Sequence, residues 1–256
     1  MRNVEIKTSV RTHIYTLLNA SSIEPNSQII PFLVKDMLLK HIHTENLHKL
    51  QLIEEARKKV ELEKLHIIRS EMINAEAFSN RFSLLKFALE KVHTDGVYAE
   101  FGVYKGESIN FLAEHLRKEI HGFDSFQGLP ESWREGLPQG SFSIRNTARL
   151  VFSQNVKLWI GLFDETIPRF VDYVGERKIA FAHIDSDLYS SAATVFKLLG
   201  PHFGSGSVIV FDEYFGYEGW QSGEYKAFEE FIETTGMAFE YIGFNLFGEQ
   251  VAVIFK

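Results

Sequence analysis

The sequence predicts a doubly wound α/β fold: a mostly parallel sheet that ends in an antiparallel hairpin, preceded by a helical extension. Three observations carry this expectation. Short apolar, β-rich runs recur at Val97–Phe101, Ile120–Phe123, Val156–Ile160, Ile179–Ile184 and Ser207–Phe211. Helix-compatible stretches at Ser108–Arg117, Ser190–Leu199 and Tyr225–Thr234 lie between several of them, and strands alternating with helices make right-handed βαβ units around a parallel sheet. Finally, the runs Ala238–Gly243 and Gln250–Phe255 are separated only by residues 244–249, too few for a crossover helix, so they should pair antiparallel. That makes seven strands.

The N-terminal part reads differently. From Ile29 onward apolar residues recur at three- and four-residue spacing (Leu47, Leu50, Ile53, then Val60, Leu62, Leu65, Ile68), with charges interleaved, as in a helix with a solvated face. His41, His43 and His48 fall on that face and read as solvated rather than as a metal cluster. A second amphipathic helix is expected at Ser79–Val92, with Phe82, Leu85, Leu89 and Val92 on one stripe and Asp95-Gly96 as its stop. The chain is expected to divide into a helical extension at 1–75, a lid or oligomer interface, and an α/β domain at 76–256.

Composition narrows the function. The chain has 256 residues, 45% of them hydrophobic, and 23 phenylalanines, enough for a core on both faces of a sheet. A net charge of -7 argues against nucleic acid as a partner, because neutralising phosphates needs clustered Lys and Arg. There are no cysteines, which excludes disulfides, zinc-thiolate sites and thiol nucleophiles. No stretch has the length and apolarity of a membrane span or a secretory leader, so a cytoplasmic location is expected.

The first strand runs into Glu100-Phe101-Gly102-Val103-Tyr104-Lys105-Gly106-Glu107-Ser108. Gly102 supplies a sharp turn and bare backbone at the strand end, and Gly106 lets the next helix come close with its N–H groups forward; a plain tight turn would use the same glycines. The neighbours sharpen this. A dinucleotide fingerprint has a third glycine and no acid before the turn, whereas Glu100 stands there and could accept an ammonium group. Asp124, 22 positions after Gly102, ends the second strand, where an acid accepts hydrogen bonds from ribose hydroxyls. Turn, ammonium acceptor and ribose acceptor together favour an adenosyl amino acid, S-adenosylmethionine. Gly161 and the loop to Asp164 could cover an adenine, with Phe163 either against it or in the core.

Two adjacent strand ends are acidic: Asp185-Ser186-Asp187 and Asp212-Glu213. Carboxylates at that density raise one another's pKa unless a cation neutralises them, and oxygen donors suit Mg²⁺ first, with Mn²⁺ or Ca²⁺ as alternatives. Helix capping competes as an explanation for Asp187, just before the next helix, but not for acids at two strand ends.

These strings, EFGVYKGES (100–108), FDSFQGLP (123–130), GLFDETIP (161–168), HIDSDLYSS (183–191) and FDEY (211–214), resemble the macrocin O-methyltransferase family. The similarity runs from about residue 78 to 256, with no match for 1–75. It implies a Rossmann-like class I methyltransferase fold and Mg²⁺-assisted, S-adenosylmethionine-dependent methylation of a sugar or natural-product hydroxyl. It also implies metal ligation by Asp185, Asp212 and Glu213, the last replacing the family's usual aspartate, and proton abstraction by Asp187. Cofactor contacts are expected from Glu100, Phe101, Gly102, Tyr104, Gly106, Ser108, Asp124, Ser125, Gly161, Phe163 and Asp185, and Arg81 falls near an arginine of the family. The segment Trp133–Arg149 should wall the acceptor, with Trp133, Phe142, Arg145 and Arg149 in contact, and Tyr189, Tyr214, Tyr217 and Trp220 could add to the wall. A homodimer or higher oligomer is expected. The competing readings are a nicotinamide-dependent oxidoreductase and a non-catalytic adenosyl-binding module.

Overall fold

The computed structural model describes the backbone of residues 29–256 and side chains from Leu47 onward. The chain forms two compact units, 1–58 and 59–256. A helix of 43 residues, α1 (Ile29–Glu71), begins in the first, and its Lys59–Glu71 portion belongs to the second. His41 and His43 fall outside the described side chains, and His48 is exposed.

The second unit is built on one eight-stranded sheet. Its elements are β1 (Glu76–Phe78), α2 (Arg81–Glu90), β2 (Val97–Phe101), α3 (Glu107–His115), β3 (Ile120–Asp124), β4 (Val156–Ile160), α4 (Phe163–Val174), β5 (Ile179–Ile184), α5 (Tyr189–Leu199), β6 (Val208–Phe211), α6 (Glu224–Thr235), β7 (Phe239–Asn245) and β8 (Val251–Phe255). The spatial order is β1-β7-β8-β6-β5-β2-β3-β4, with β8 antiparallel to both its neighbours and the remaining pairings parallel. The expected antiparallel ending is present, but the count of seven is corrected to eight. The extra strand, β1, is three residues added in parallel to the outer edge of β7. Its sequence Glu-Ala-Phe is too short to show a period, and backbone pairing with β7 supplies what side-chain pattern does not.

Alternation along the central strands fills two cores. In β6, Ile209 and Phe211 pack with α4, α5 and α6 on one face, while Val208 and Val210 pack with α2 and α3 on the other. Such strands, buried on both faces, read as continuous apolar runs, which is why the sequence announces them so clearly. The crossovers diverge from the centre: β2 leads outward to β3 and β4, and β5 leads the other way to β6. The topological switch point therefore lies between β2 and β5, and the crevice beyond their carboxyl ends is where such sheets hold ligands.

Two buried polar side chains stabilise this frame. Lys64, 4% exposed, donates from Nζ to the carbonyls of Asn245 (3.3 Å), Leu246 (2.8 Å) and Gly248 (2.7 Å), which ties the end of α1 to the β7–β8 turn. On β3, His121 accepts a hydrogen bond from Trp159 Nε1 at 3.2 Å, and burial drives its pKa down from 6.5 to about 4. The unfolded chain takes up this proton near pH 6.5 and the native state only near 4, so the native state binds fewer protons across that window. Stability should therefore fall as pH drops from 6.5 to 4, by on the order of 2–3 kcal/mol from this residue. Urea unfolding of wild type and His121→Gln at both pH values checks this: the variant should lose much of the dependence.

Candidate active site

A cavity of about 730 Å³ opens at the switch point. One side is the glycine turn after β2. Gly102 has φ 97° and lies against the backbone carbonyl of Asp185, where no Cβ fits. The Asp124 carboxylate closes the turn: Oδ2 accepts from the N–H groups of Val103 (2.9 Å) and Tyr104 (2.7 Å), and Oδ1 from that of Phe126 (2.6 Å). A carboxylate offers about four acceptor sites, so Asp124 has little left over and is rigidly aimed. Tyr104, Ser108, Ser125, Gly161, Phe163 and Asp185 also line the cavity. Phe163 does two jobs, packing edge-on against Phe101 at 5.7 Å while facing the cavity.

Three expected cofactor contacts stand behind the wall. Phe101 is fully buried and stacked on Phe123, with centroids 4.7 Å apart. Gly106 lies outside the lining, and its missing side chain makes room for Phe152. Glu100 is the larger correction: it is 0% exposed, Oε2 bonded to His183 Nδ1 at 2.8 Å and Oε1 accepting from Ser108 Oγ at 3.2 Å. Because residues alternate along a strand, Glu100 points with Tyr98 into the α2–α3 face, beside its register partner His183, not up into the crevice.

The other side of the cavity carries the acids. Asp187 sits at the apex of a γ-turn, with φ 63° and the Leu188 N–H donating to the Ser186 carbonyl at 2.6 Å. The helix-capping alternative is not realised: Leu188 is the N-cap of α5, and no side chain caps it. Burial, opposed by Arg134, raises the pKa of Asp187 to about 7. Asp185 is also pushed well up, by burial and then by Asp212. Burial would raise Asp212 as well, but His183 and the Arg81 guanidinium, 3.7 Å from Oδ2, outweigh it and hold this carboxyl low. His183 itself is lifted to about 10, Asp212 and Glu100 overcoming the effect of its burial.

The donors that converge are not quite those expected. Ligand atoms of His183, Asp185 and Asp212 lie within 4.8 Å of one another. Glu213 stands outside that set, although it lines the cavity and its buried Oε2 has no hydrogen-bond partner. Adjacent residues leaving a strand point to opposite sides, so Asp212 and Glu213 do not both face His183. Three buried polar atoms at this edge, His183 Nε2, Asp212 Oδ1 and Glu213 Oε2, have no hydrogen-bond partner.

Sequence reasoning missed the residue that sets the spacing of these loops. Glu224, fully buried at the start of α6, accepts at Oε1 from Ser186 N (3.0 Å) and Oγ (3.1 Å), and at Oε2 from Glu213 N (3.3 Å). Its only signal is a glutamate opening a helix after Gly223. Glu224→Ala leaves these buried donors unsatisfied and should cost roughly 2–4 kcal/mol in urea unfolding.

The long β3–β4 connection roofs the cavity. Arg134 stacks on Trp133 at 3.9 Å and bonds both oxygens of Glu249 at 3.2 Å, which joins the roof to the β7–β8 turn. Trp133 and Phe142 line the cavity; Arg145, Arg149 and Tyr189 do not, and Tyr214, Tyr217 and Trp220 are buried in the core.

Known proteins share this fold. Residues 99–214 match the methyltransferase domain family. The fold is shared with solved methyltransferases: CalS11, a calicheamicin methyltransferase, superposes with a TM-score of 0.56 at 21% identity, covering 96% of this chain and 91% of its own. The O-methyltransferase NovP does so with 0.52 at 19% identity, covering 68% and 78%. A curated relative from Streptomyces olivaceus, 8-demethyl-8-(2,3-dimethoxy-alpha-L-rhamnosyl)-tetracenomycin-C 4'-O-methyltransferase, is 24% identical over 52% of this chain. The chain spans 60% of that relative's length. No helix among the described residues is long and apolar enough to cross a membrane.

Proposed function

We propose that this chain transfers the methyl group of S-adenosylmethionine to a hydroxyl of a small molecule, a sugar or a glycosylated natural product, with a divalent ion bound at the acidic edge. The observation that carries the reading is one cavity that joins the Gly102–Asp124 turn to Asp185, Asp187 and Asp212. The acceptor class follows the curated relative, named as a 4'-O-methyltransferase of a rhamnosyl tetracenomycin, and is supported by NovP, named as an O-methyltransferase.

In this reading the turn residues hold the adenosyl and amino-acid parts, and Asp124, which the Val103 and Tyr104 N–H groups hold in place, accepts from the ribose through its remaining lone pair. Glu100 acts from behind, holding His183 and Ser108 in place. The acceptor lies under Trp133, Leu137 and Phe142, an apolar roof suited to a sugar face, with Arg134 as a donor to its hydroxyls. Asp187, at the apex of its turn, takes the hydroxyl proton as the C–O bond forms and the C–S bond breaks. A divalent ion at Asp185 and Asp212 supplies a lower hydroxyl pKa and a fixed direction of approach.

The test is methyl transfer from labelled S-adenosylmethionine to a panel of nucleotide sugars and glycosides, with and without EDTA. Incorporation that needs both a hydroxyl and a divalent ion is expected. Incorporation that survives exhaustive chelation removes the metal from the reading, and labelling of amine acceptors alone removes the hydroxyl.

A further inference from the structure

We propose that His183 is itself an inner ligand of the ion, through Nε2, alongside Asp185 and Asp212. The site would then favour Mn²⁺ or a later divalent transition metal over Mg²⁺ or Ca²⁺. This rests on the reading above only in placing an ion at the acidic edge.

The geometry is specific. His183 is wholly buried, and its Nδ1 is taken by Glu100 at 2.8 Å, so the imidazole has one nitrogen to offer and one direction to offer it. That nitrogen, Nε2, lies 3.5 Å from Asp212 Oδ1, with both atoms buried and neither hydrogen-bonded. An N–H···O bond would close to about 2.9 Å. Two donors each about 2.1 Å from one small ion instead stand about 3.0–3.5 Å apart. Asp185 completes a group of three within 4.8 Å.

Glu100 gains a role in this arrangement. A metal-bound histidine usually gives its second ring N–H to a carboxylate, which fixes the tautomer and raises the basicity of the coordinating nitrogen. Glu100, on the register-paired position of β2, is that carboxylate. The ion takes the place of the Nε2 proton, between His183 and Asp212. The local charge agrees: Glu100, Asp185, Asp187, Asp212, Glu213 and Glu224 crowd this edge against Arg81, Arg134 and His183. An imidazole nitrogen among carboxylates suits Mn²⁺, Co²⁺ or Zn²⁺, whereas Mg²⁺ and Ca²⁺ prefer oxygen alone.

The test titrates Mn²⁺ into the full chain with S-adenosylhomocysteine present, and reads the bound ion by pulsed electron paramagnetic resonance. Expected is a directly bonded ¹⁴N coupling that changes on ¹⁵N labelling of histidine. The coupling should persist in the triple variant His41→Gln, His43→Gln, His48→Gln and disappear in His183→Gln. Mn²⁺ should also bind about tenfold more tightly than Mg²⁺, a preference that shrinks in His183→Gln. Bound Mn²⁺ with no nitrogen coupling, a coupling that survives His183→Gln, or no bound Mn²⁺ would each overturn the inference. Should His183→Gln not fold, the wild-type and labelled spectra still decide. S-adenosylhomocysteine binding, measured on the same samples by calorimetry, separates failure of this inference from failure of the methyl-transfer reading.

Discussion

Replacing Asp187 by asparagine is expected to lower methyl transfer by about 10²–10⁴-fold, the usual contribution of a general base. S-adenosylhomocysteine affinity should stay unchanged. Asparagine keeps the shape of the side chain and tolerates the left-handed backbone (φ 63°) that Asp187 occupies, so the γ-turn and the start of α5 should survive. Only the ability to take a proton is lost. Single-turnover rates and calorimetry on the same variant separate the two effects. Asp185→Asn, by contrast, should also weaken divalent-ion binding. Undiminished turnover in Asp187→Asn would remove this residue from the mechanism.

Gly102→Ala should have the largest effect on the protein itself. The residue has φ 97°, a conformation that alanine adopts only under strain, and its added methyl would be driven into the carbonyl of Asp185. Asp185 cannot step aside freely, because its N–H is bonded to the Phe101 carbonyl at 2.9 Å. Strain and overlap together should cost roughly 3 kcal/mol or more, read as a lower urea midpoint. Adenosyl binding should fall further than stability does, since the same atoms shape the floor of the cavity. Gly136→Ala is the control: its φ is also positive, at 84°, but a Cβ there meets nothing within 4 Å. It should lose only the backbone term.

How much of this was visible in the sequence depended on whether the signal was local. The central strands announced themselves because burial on both faces makes them continuous apolar runs, and the hairpin because its connection is short. β1 is invisible in the sequence: three residues carry no period, and their strand character comes from β7, 167 positions later in the register (Glu76 with Gly243). Gly102 and Asp124, which line the cavity, are legible because each stands at the end of a clear apolar strand run. Glu100 reads in the sequence as an ammonium acceptor, but its hydrogen bonds go to His183 and Ser108, since strand alternation and a cross-strand histidine decide where a carboxylate points. His183 lies within the string 183–191, but nothing local marks it out, because its surroundings are Glu100 on β2 and Asp212 just beyond β6. Glu224 and Lys64 act across 38 and 181 positions respectively, which no periodicity can show.

The measurement that bears most directly on the central claim is a calorimetric titration of the chain with S-adenosylhomocysteine and, separately, with NAD. The switch-point cavity, with its two-glycine turn and no third glycine, should bind the adenosyl amino acid with a micromolar dissociation constant, raise the melting temperature accordingly, and give no heat with NAD. Binding of NAD without S-adenosylhomocysteine, or of neither, would contradict the assignment of this cavity to methyl transfer.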